Sequence, residues 1–130
     1  MDKKLISTGA VFGMIAIILG AFGAHALKKV LAVEQLVTFE TGVRYQMYHA
    51  LFLIFIGMIA GPSEKTKKTI YFLVLSGVCT FSGSIYLLAT NDLTSFDFRV
   101  IGFITPIGGL LLIMAWAVLF FSFIKKREQN

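Results

Sequence analysis

Four apolar runs, each about as long as a bilayer core is thick, constrain this chain more than any other feature. A helix rises 1.5 Å per residue, so crossing a hydrocarbon layer of about 30 Å takes roughly 20 apolar residues. The runs fall at about 5–24, 41–60, 70–89 and 101–124. Four such spans use about 80 residues of a chain of 130. That leaves no room for a second domain or a sizeable soluble catalytic domain. Composition points the same way: 57% of the residues are hydrophobic and 15% charged, against about 45–50% and 25% in soluble domains. Intrinsic disorder is excluded on the same ground. The expected fold is all-α, an integral membrane bundle of four transmembrane helices forming a single domain over 1–130.

The boundaries carry unequal information. The first run follows the basic start Met1-Asp2-Lys3-Lys4. Ala24-His25-Ala26 also has the small-x-small form of a signal-peptide cleavage site, but the run exceeds the usual apolar core of about 7–15 residues. An uncleaved span is therefore expected. Helical patterning in the second run starts near Glu34 and continues into Leu51–Ala60, so Glu34–Glu40 reads as an interfacial lead-in to a span ended by Gly61-Pro62, within a short interfacial helix expected between spans 1 and 2 over about His25–Glu40. Thr90-Asn91-Asp92 closes the third run. The fourth has two readings. Thr105-Pro106 can be an N-cap followed by proline at the first helical position. Alternatively the helix starts near Val100, and Pro106 deprives the Gly102 carbonyl of its helical partner.

Four spans put both termini and the 61–69 loop on one side. That side carries Lys3, Lys4, Lys65, Lys67, Lys68, Lys125, Lys126 and Arg127, against Lys28, Lys29, Arg44 and Arg99 on the other. The positive-inside rule then places both termini in the cytoplasm, in a bacterial plasma (inner) membrane. The net charge of +5 is thus read as orientation, and no nucleic-acid partner is expected. The lone Cys79 cannot form an intrachain disulfide, and no Cys/His spacing resembles a zinc site.

Small residues recur on the helices. Gly9, Gly13, Ala16, Gly20, Gly23 and Ala24 share one face of the first, and Ser76, Gly77, Thr80, Gly83 and Ser84 stripe the third. Glycine costs about 1 kcal/mol relative to alanine in a helix interior. Close packing of the small-xxx-small type is the expected reason. Gly9, Gly13, Gly20, Gly23, Gly77, Gly83, Pro106, Gly108 and Gly109 are the candidate packing residues.

The second span carries the polar side chains. Gly42, Tyr45, Gln46 and His49 share a face, while Glu40 and Arg44 lie on another, in the i,i+4 arrangement that permits an ion pair. If the bilayer begins near Gly42, His49 lies about 10 Å deep, where an ionisable residue is a functional candidate. The alternative is a neutral histidine bonded to Ser84, Thr105 or a freed carbonyl. Topology puts His25, Glu40, Arg44, Ser84, Tyr86, Asp97, Arg99 and Thr105 toward one side, with the other half nearly all apolar. The expectation is a polar pocket in the extracytoplasmic half formed by His25, Glu40, Arg44, Tyr45, Gln46, His49, Ser84 and Thr105.

Four sequence motifs carry a resemblance. Gly20-Ala21-Phe22-Gly23-Ala24-His25-Ala26-Leu27 closes the first span, and Phe39-Glu40-Thr41-Gly42-Val43-Arg44-Tyr45-Gln46-Met47-Tyr48-His49-Ala50-Leu51 opens the second. Phe81-Ser82-Gly83-Ser84-Ile85-Tyr86-Leu87-Leu88 lies in the third, and Ile104-Thr105-Pro106-Ile107-Gly108-Gly109-Leu110, followed by Met114-Ala115-Trp116, in the fourth. In this order and spacing the chain resembles the family of small membrane proteins catalogued as domain of unknown function 423. The resemblance implies a four-helix integral membrane protein and supplies no activity.

The leading functional expectation is a non-enzymatic accessory protein. Its partners would be membrane lipid, a small amphiphilic ligand or a membrane protein, and a homo-oligomer is compatible with the glycine stripe. No catalytic residue, metal or cofactor is assigned. A small oligomeric transporter or channel is the alternative, and a membrane enzyme or redox subunit the third.

Overall fold

Long apolar stretches without interior proline form helices because a chain in an apolar environment must satisfy its own backbone groups. The computed structural model describes residues 1–128. Gln129 and Asn130 of the expected 1–130 domain lie outside the described residues, as do the side chains of Lys126 and Arg127. The long helices are α1 (Asp2–His25), α2 (Val33–Met58), α3 (Glu64–Ala89) and α4 (Ile104–Glu128). Short 3-10 turns at Leu27–Lys29, Asn91–Leu93 and Phe98–Ile101 fill the connections. No strand occurs among the described residues.

Each helix packs on its neighbours in sequence, α1 on α2, α2 on α3 and α3 on α4. The segments Asp2–Lys29, Glu64–Ala89 and Phe98–Lys125 are long and apolar enough to cross a membrane. Helix α2 is not among them, and its first half carries Glu34, Glu40, Arg44, Gln46 and His49.

Several boundaries differ from the sequence reading, and α3 starts at Glu64, six residues ahead of the 70–89 run. The Glu34–Glu40 stretch is no separate helix: it runs without a break into α2, behind the three-residue turn at Leu27–Lys29. The Gln35 side chain reaches back to accept the Ala32 amide hydrogen at 3.1 Å, which starts α2 ahead of the span. At its far end α2 stops at Met58 rather than reaching Ala60. Helix α4 starts at Ile104, between the two starts considered. Pro106 falls in its first turn, where the amide needs no intrahelical acceptor.

Two turns show the local chemistry. Ser63 caps α3 by accepting the Thr66 amide hydrogen at 3.2 Å. Gly61 has φ +134°, which other residues rarely adopt, and Phe123 lies 3.1 Å from where a Cβ would sit.

The core has two apolar parts. Leu5, Leu53, Ile56, Ile70, Val74, Leu112 and their neighbours join all four helices at the N-terminal end. Leu27, Leu31, Phe39 and Ala89 form a smaller cluster at the other end. Close approaches set the helix spacing. A Cβ on Gly9 would stand 2.6 Å from the Ala50 carbonyl oxygen, and one on Gly108 2.4 Å from the Phe81 nitrogen. Gly77 is similarly crowded by Leu112, and Gly23 by Phe39, whereas Gly13, Gly20 and Gly109 meet ordinary contacts. Gly83, expected in the packing set, faces open space, and Pro106 is exposed. Gly42 and Gly57 are close-approach positions that the stripe argument missed.

Candidate functional site

Polar groups on the inward face of α2 need partners, because a buried group without one costs about 1–3 kcal/mol. Gln46 is buried between helices. Its Nε2 donates to the Phe12 carbonyl at 2.9 Å, and its Oε1 accepts from the Tyr86 hydroxyl at 2.7 Å. One side chain thus joins α1, α2 and α3. Ser82 donates to the Gly42 carbonyl at 2.8 Å. The small Gly42 lets Tyr86 lie against α2, since a Cβ there would be 2.8 Å from the Tyr86 ring. The Ser84 and Thr105 hydroxyls pair at 2.6 Å between α3 and α4. Among the described residues no buried side-chain nitrogen or oxygen lacks a partner.

His49 is also buried and fully engaged. Its Nδ1 donates to the Tyr45 carbonyl at 2.7 Å, and its Nε2 accepts from Trp116 Nε1 at 3.1 Å. This pattern suits a neutral ring protonated on Nδ1. The partners differ from those expected, because Ser84 and Thr105 satisfy each other. Trp116 stacks on Phe52 with ring centroids 4.2 Å apart. A groove of about 340 Å³ runs beside this pair, lined also by Tyr45, Phe81 and Leu112.

Glu40 and Arg44 face the other way. With Gly20, Phe39 and Val43 they line a groove of about 270 Å³ between α1 and α2. Both side chains are exposed. The ion pairs among the described residues join the N-terminal amine to Glu64, Lys67 to Asp2 and Arg99 to Asp97. Neither Glu40 nor Arg44 enters any of them. His25 is exposed at the end of α1.

The eight residues expected to share one pocket therefore occupy separate places. Glu40 and Arg44 share the α1–α2 groove, Tyr45 and His49 the groove beside Trp116. Gln46 and the Ser84–Thr105 pair are interhelical ties, and His25 stands apart. Asp97 belongs to the loop before α4, where the Arg99 guanidinium holds its carboxyl at about 2, below the usual carboxylate range. Among the described residues no group of three or more His, Cys, Asp or Glu could hold a metal ion.

The N-terminal end is less apolar than expected. Lys67 is 6% exposed, and its ammonium donates to Asp2 at 2.8 Å and to the Ile59 carbonyl at 2.9 Å. It thereby joins the start of α1, the end of α2 and the start of α3. Thr8 and Tyr71 pair at 3.2 Å a little deeper. A charge count could not distinguish Lys67 from its neighbours. Trp116 left a usable signal: an indole N–H in an apolar helix usually finds an acceptor.

Comparison with known proteins gives a consistent result. Residues 19–109 match the family model described as "Protein of unknown function (DUF423)". A UPF0382 membrane protein of Staphylococcus saprophyticus is 42% identical over 90% of this chain and 93% of its own length. The UPF0382 membrane protein YwdK of Bacillus subtilis is 34% identical, covering 95% and 98% of the two chains. A UPF0382 membrane protein of Haemophilus influenzae is 33% identical over 98% and 99%. No solved structure matches.

Proposed function

Because the chain belongs to the DUF423 family of membrane proteins, we propose that it is a non-enzymatic accessory protein that binds a zwitterionic amphiphile in the α1–α2 groove. The proposal includes four spans, with both termini on the cytoplasmic face of a bacterial plasma membrane and the groove in the outer half. One observation carries the reading: Glu40 and Arg44 carry opposite charges beside an apolar groove, and neither forms an ion pair among the described residues.

Depth supplies the physical pressure. Helix α2 has 26 residues and a length of about 39 Å, some 9 Å more than a hydrocarbon core. With Met58 at one boundary, Glu40 sits at the opposite boundary and Arg44 about one turn inside. A charge held there favours a partner. A headgroup bearing both an anion and a cation would satisfy Arg44 and Glu40 together. Its tail would lie along Gly20, Phe39 and Val43.

Native mass spectrometry of the protein released from mild detergent tests the binding. A reproducible added mass is expected, lost in Arg44→Gln and Glu40→Gln while His49→Ala keeps it and lowers thermal stability. A bare wild-type chain, or an adduct indifferent to Arg44 and Glu40, would sink the reading. Reporter fusions in the 91–94 loop and after residue 130 test the topology, which requires opposite sides for the two.

A further inference from the structure

The N-terminal end holds a second concentration of charge, separate from the proposed amphiphile groove. A hollow of about 440 Å³ is lined by Met1, Lys4, Glu64, Lys65 and Lys68. It lies where α1 and α3 begin, and both helices are apolar enough to span a membrane. On the proposed topology, on which this inference rests, the hollow lies at the level of lipid headgroups.

Its charges do not cancel. Glu64 lies 3.6 Å from the N-terminal amine, which leaves the lysines uncompensated. Asp2 is held by Lys67, which points inward and is buried. Lys4, Lys65 and Lys68 are exposed, and none forms an ion pair or a side-chain hydrogen bond among the described residues. Three lysines from two helices thus line one concavity. Fixed helix starts bring them there, since the Lys67–Asp2 contact locks α1 to α3.

We propose that this hollow binds the phosphate of an anionic phospholipid at the membrane surface. Lys4, Lys65 and Lys68 supply the charge, and the Lys67–Asp2 contact positions their two helices. Lys67 itself does not touch the lipid. Lys3 is the built-in control: it lies on the same first turn of α1, is exposed, and does not line the hollow.

A basic residue near an anionic surface contributes about 1 kcal/mol, roughly fivefold in affinity. The triple variant K4Q/K65Q/K68Q should therefore bind phosphatidylglycerol about a hundredfold more weakly than the native chain. The full chain in mild detergent is titrated with phosphatidylglycerol, phosphatidylcholine or inorganic phosphate, read by retained mass and thermal shift. In an Arg44→Gln background, which removes the zwitterion-binding groove, retention of phosphatidylglycerol but not phosphatidylcholine is expected, with K4R/K65R/K68R binding normally and Lys3→Gln weakening it far less than the triple variant, since Lys3 does not line the hollow. The arginine variant also shows whether changes at these positions are tolerated by the fold. Equal binding by the glutamine triple variant would overturn the proposal. So would an equal loss in Lys3→Gln, which would mean diffuse attraction, or equal competition by inorganic phosphate. Arg44→Gln should leave this binding unchanged, so failure here and failure of the α1–α2 groove are separately visible.

Discussion

Arg44 and Gln46 stand two residues apart on α2 and meet opposite circumstances. Gln46 is 4% exposed, with its amide bonded to α1 on one side and α3 on the other. Arg44 is exposed on a groove wall and forms no ion pair among the described residues. The inward face of α2 therefore spends its polarity on holding helices together, and the outward face leaves it available. Polarity by itself therefore does not mark a binding residue.

The largest effect should come from the close helix approach on which the inward contacts depend. Gly108→Ala places a methyl group 2.4 Å from the Phe81 nitrogen and 2.5 Å from Thr80 Oγ1. The neighbours are backbone and a short side chain, so α3 and α4 must separate. Overpacking of this kind costs about 1–3 kcal/mol and should lower the thermal midpoint in detergent clearly. Gly83→Ala, which meets open space, should leave it unchanged. Equal midpoints for the two variants would break the argument that backbone approach holds the bundle.

Gln46→Leu is the next test and addresses the comparison directly. It removes both interhelical bonds and leaves the Tyr86 hydroxyl without its acceptor. Polar bonds between membrane helices average about 0.6 kcal/mol, and an orphaned buried group adds about 1–3 kcal/mol. A loss of about 1–3 kcal/mol is expected, readable as a lower unfolding midpoint in the same detergent. Arg44→Gln should shift stability by less than about 0.5 kcal/mol, as an exposed site away from packing does, while abolishing the bound mass. If Gln46→Leu is silent and Arg44→Gln destabilises, the inward–outward division is wrong.

Much of this architecture is legible in the sequence because membrane helices announce themselves by length and apolarity. Gly9 and Gly108 could be singled out because glycine in a helix interior needs a packing reason. The site was less legible, and the cause is specific. Face periodicity grouped Gly42, Tyr45, Gln46 and His49, but it carries no information about the facing helix. Gln46 finds a partner 40 residues away in Tyr86 and a backbone carbonyl at Phe12. A carbonyl has no sequence signature. Lys67 read as one lysine of a loop, since its partner Asp2 is 65 residues distant. Gly42 and Gly57 escaped for the same reason: what makes them necessary is a neighbour from another helix.

The smallest effect concerns the loop before α4, where an exposed pair offers a contrast to the buried ties. Asp97 accepts hydrogen bonds from the Arg99 side chain and from the Arg99 backbone amide, and these hold its carboxyl at about 2. A carboxyl lowered in the folded state contributes above its unfolded value, near 3.8, and loses that contribution as pH falls toward 2. The pairing should therefore be complete at neutral pH and released only in that acid window. Both groups are open to solvent, so salt screens the pair and its effect on global stability should be slight. Carboxyl titration followed by NMR should give a midpoint near 2 for Asp97. In Asp97→Ala, faster amide exchange at Arg99, whose amide donates to Asp97, is expected with an unchanged unfolding midpoint. An ordinary carboxylate value would show that the pair does not persist in solution. A large fall in the unfolding midpoint would show instead that this exposed loop helps hold α4 in place, as the buried ties do.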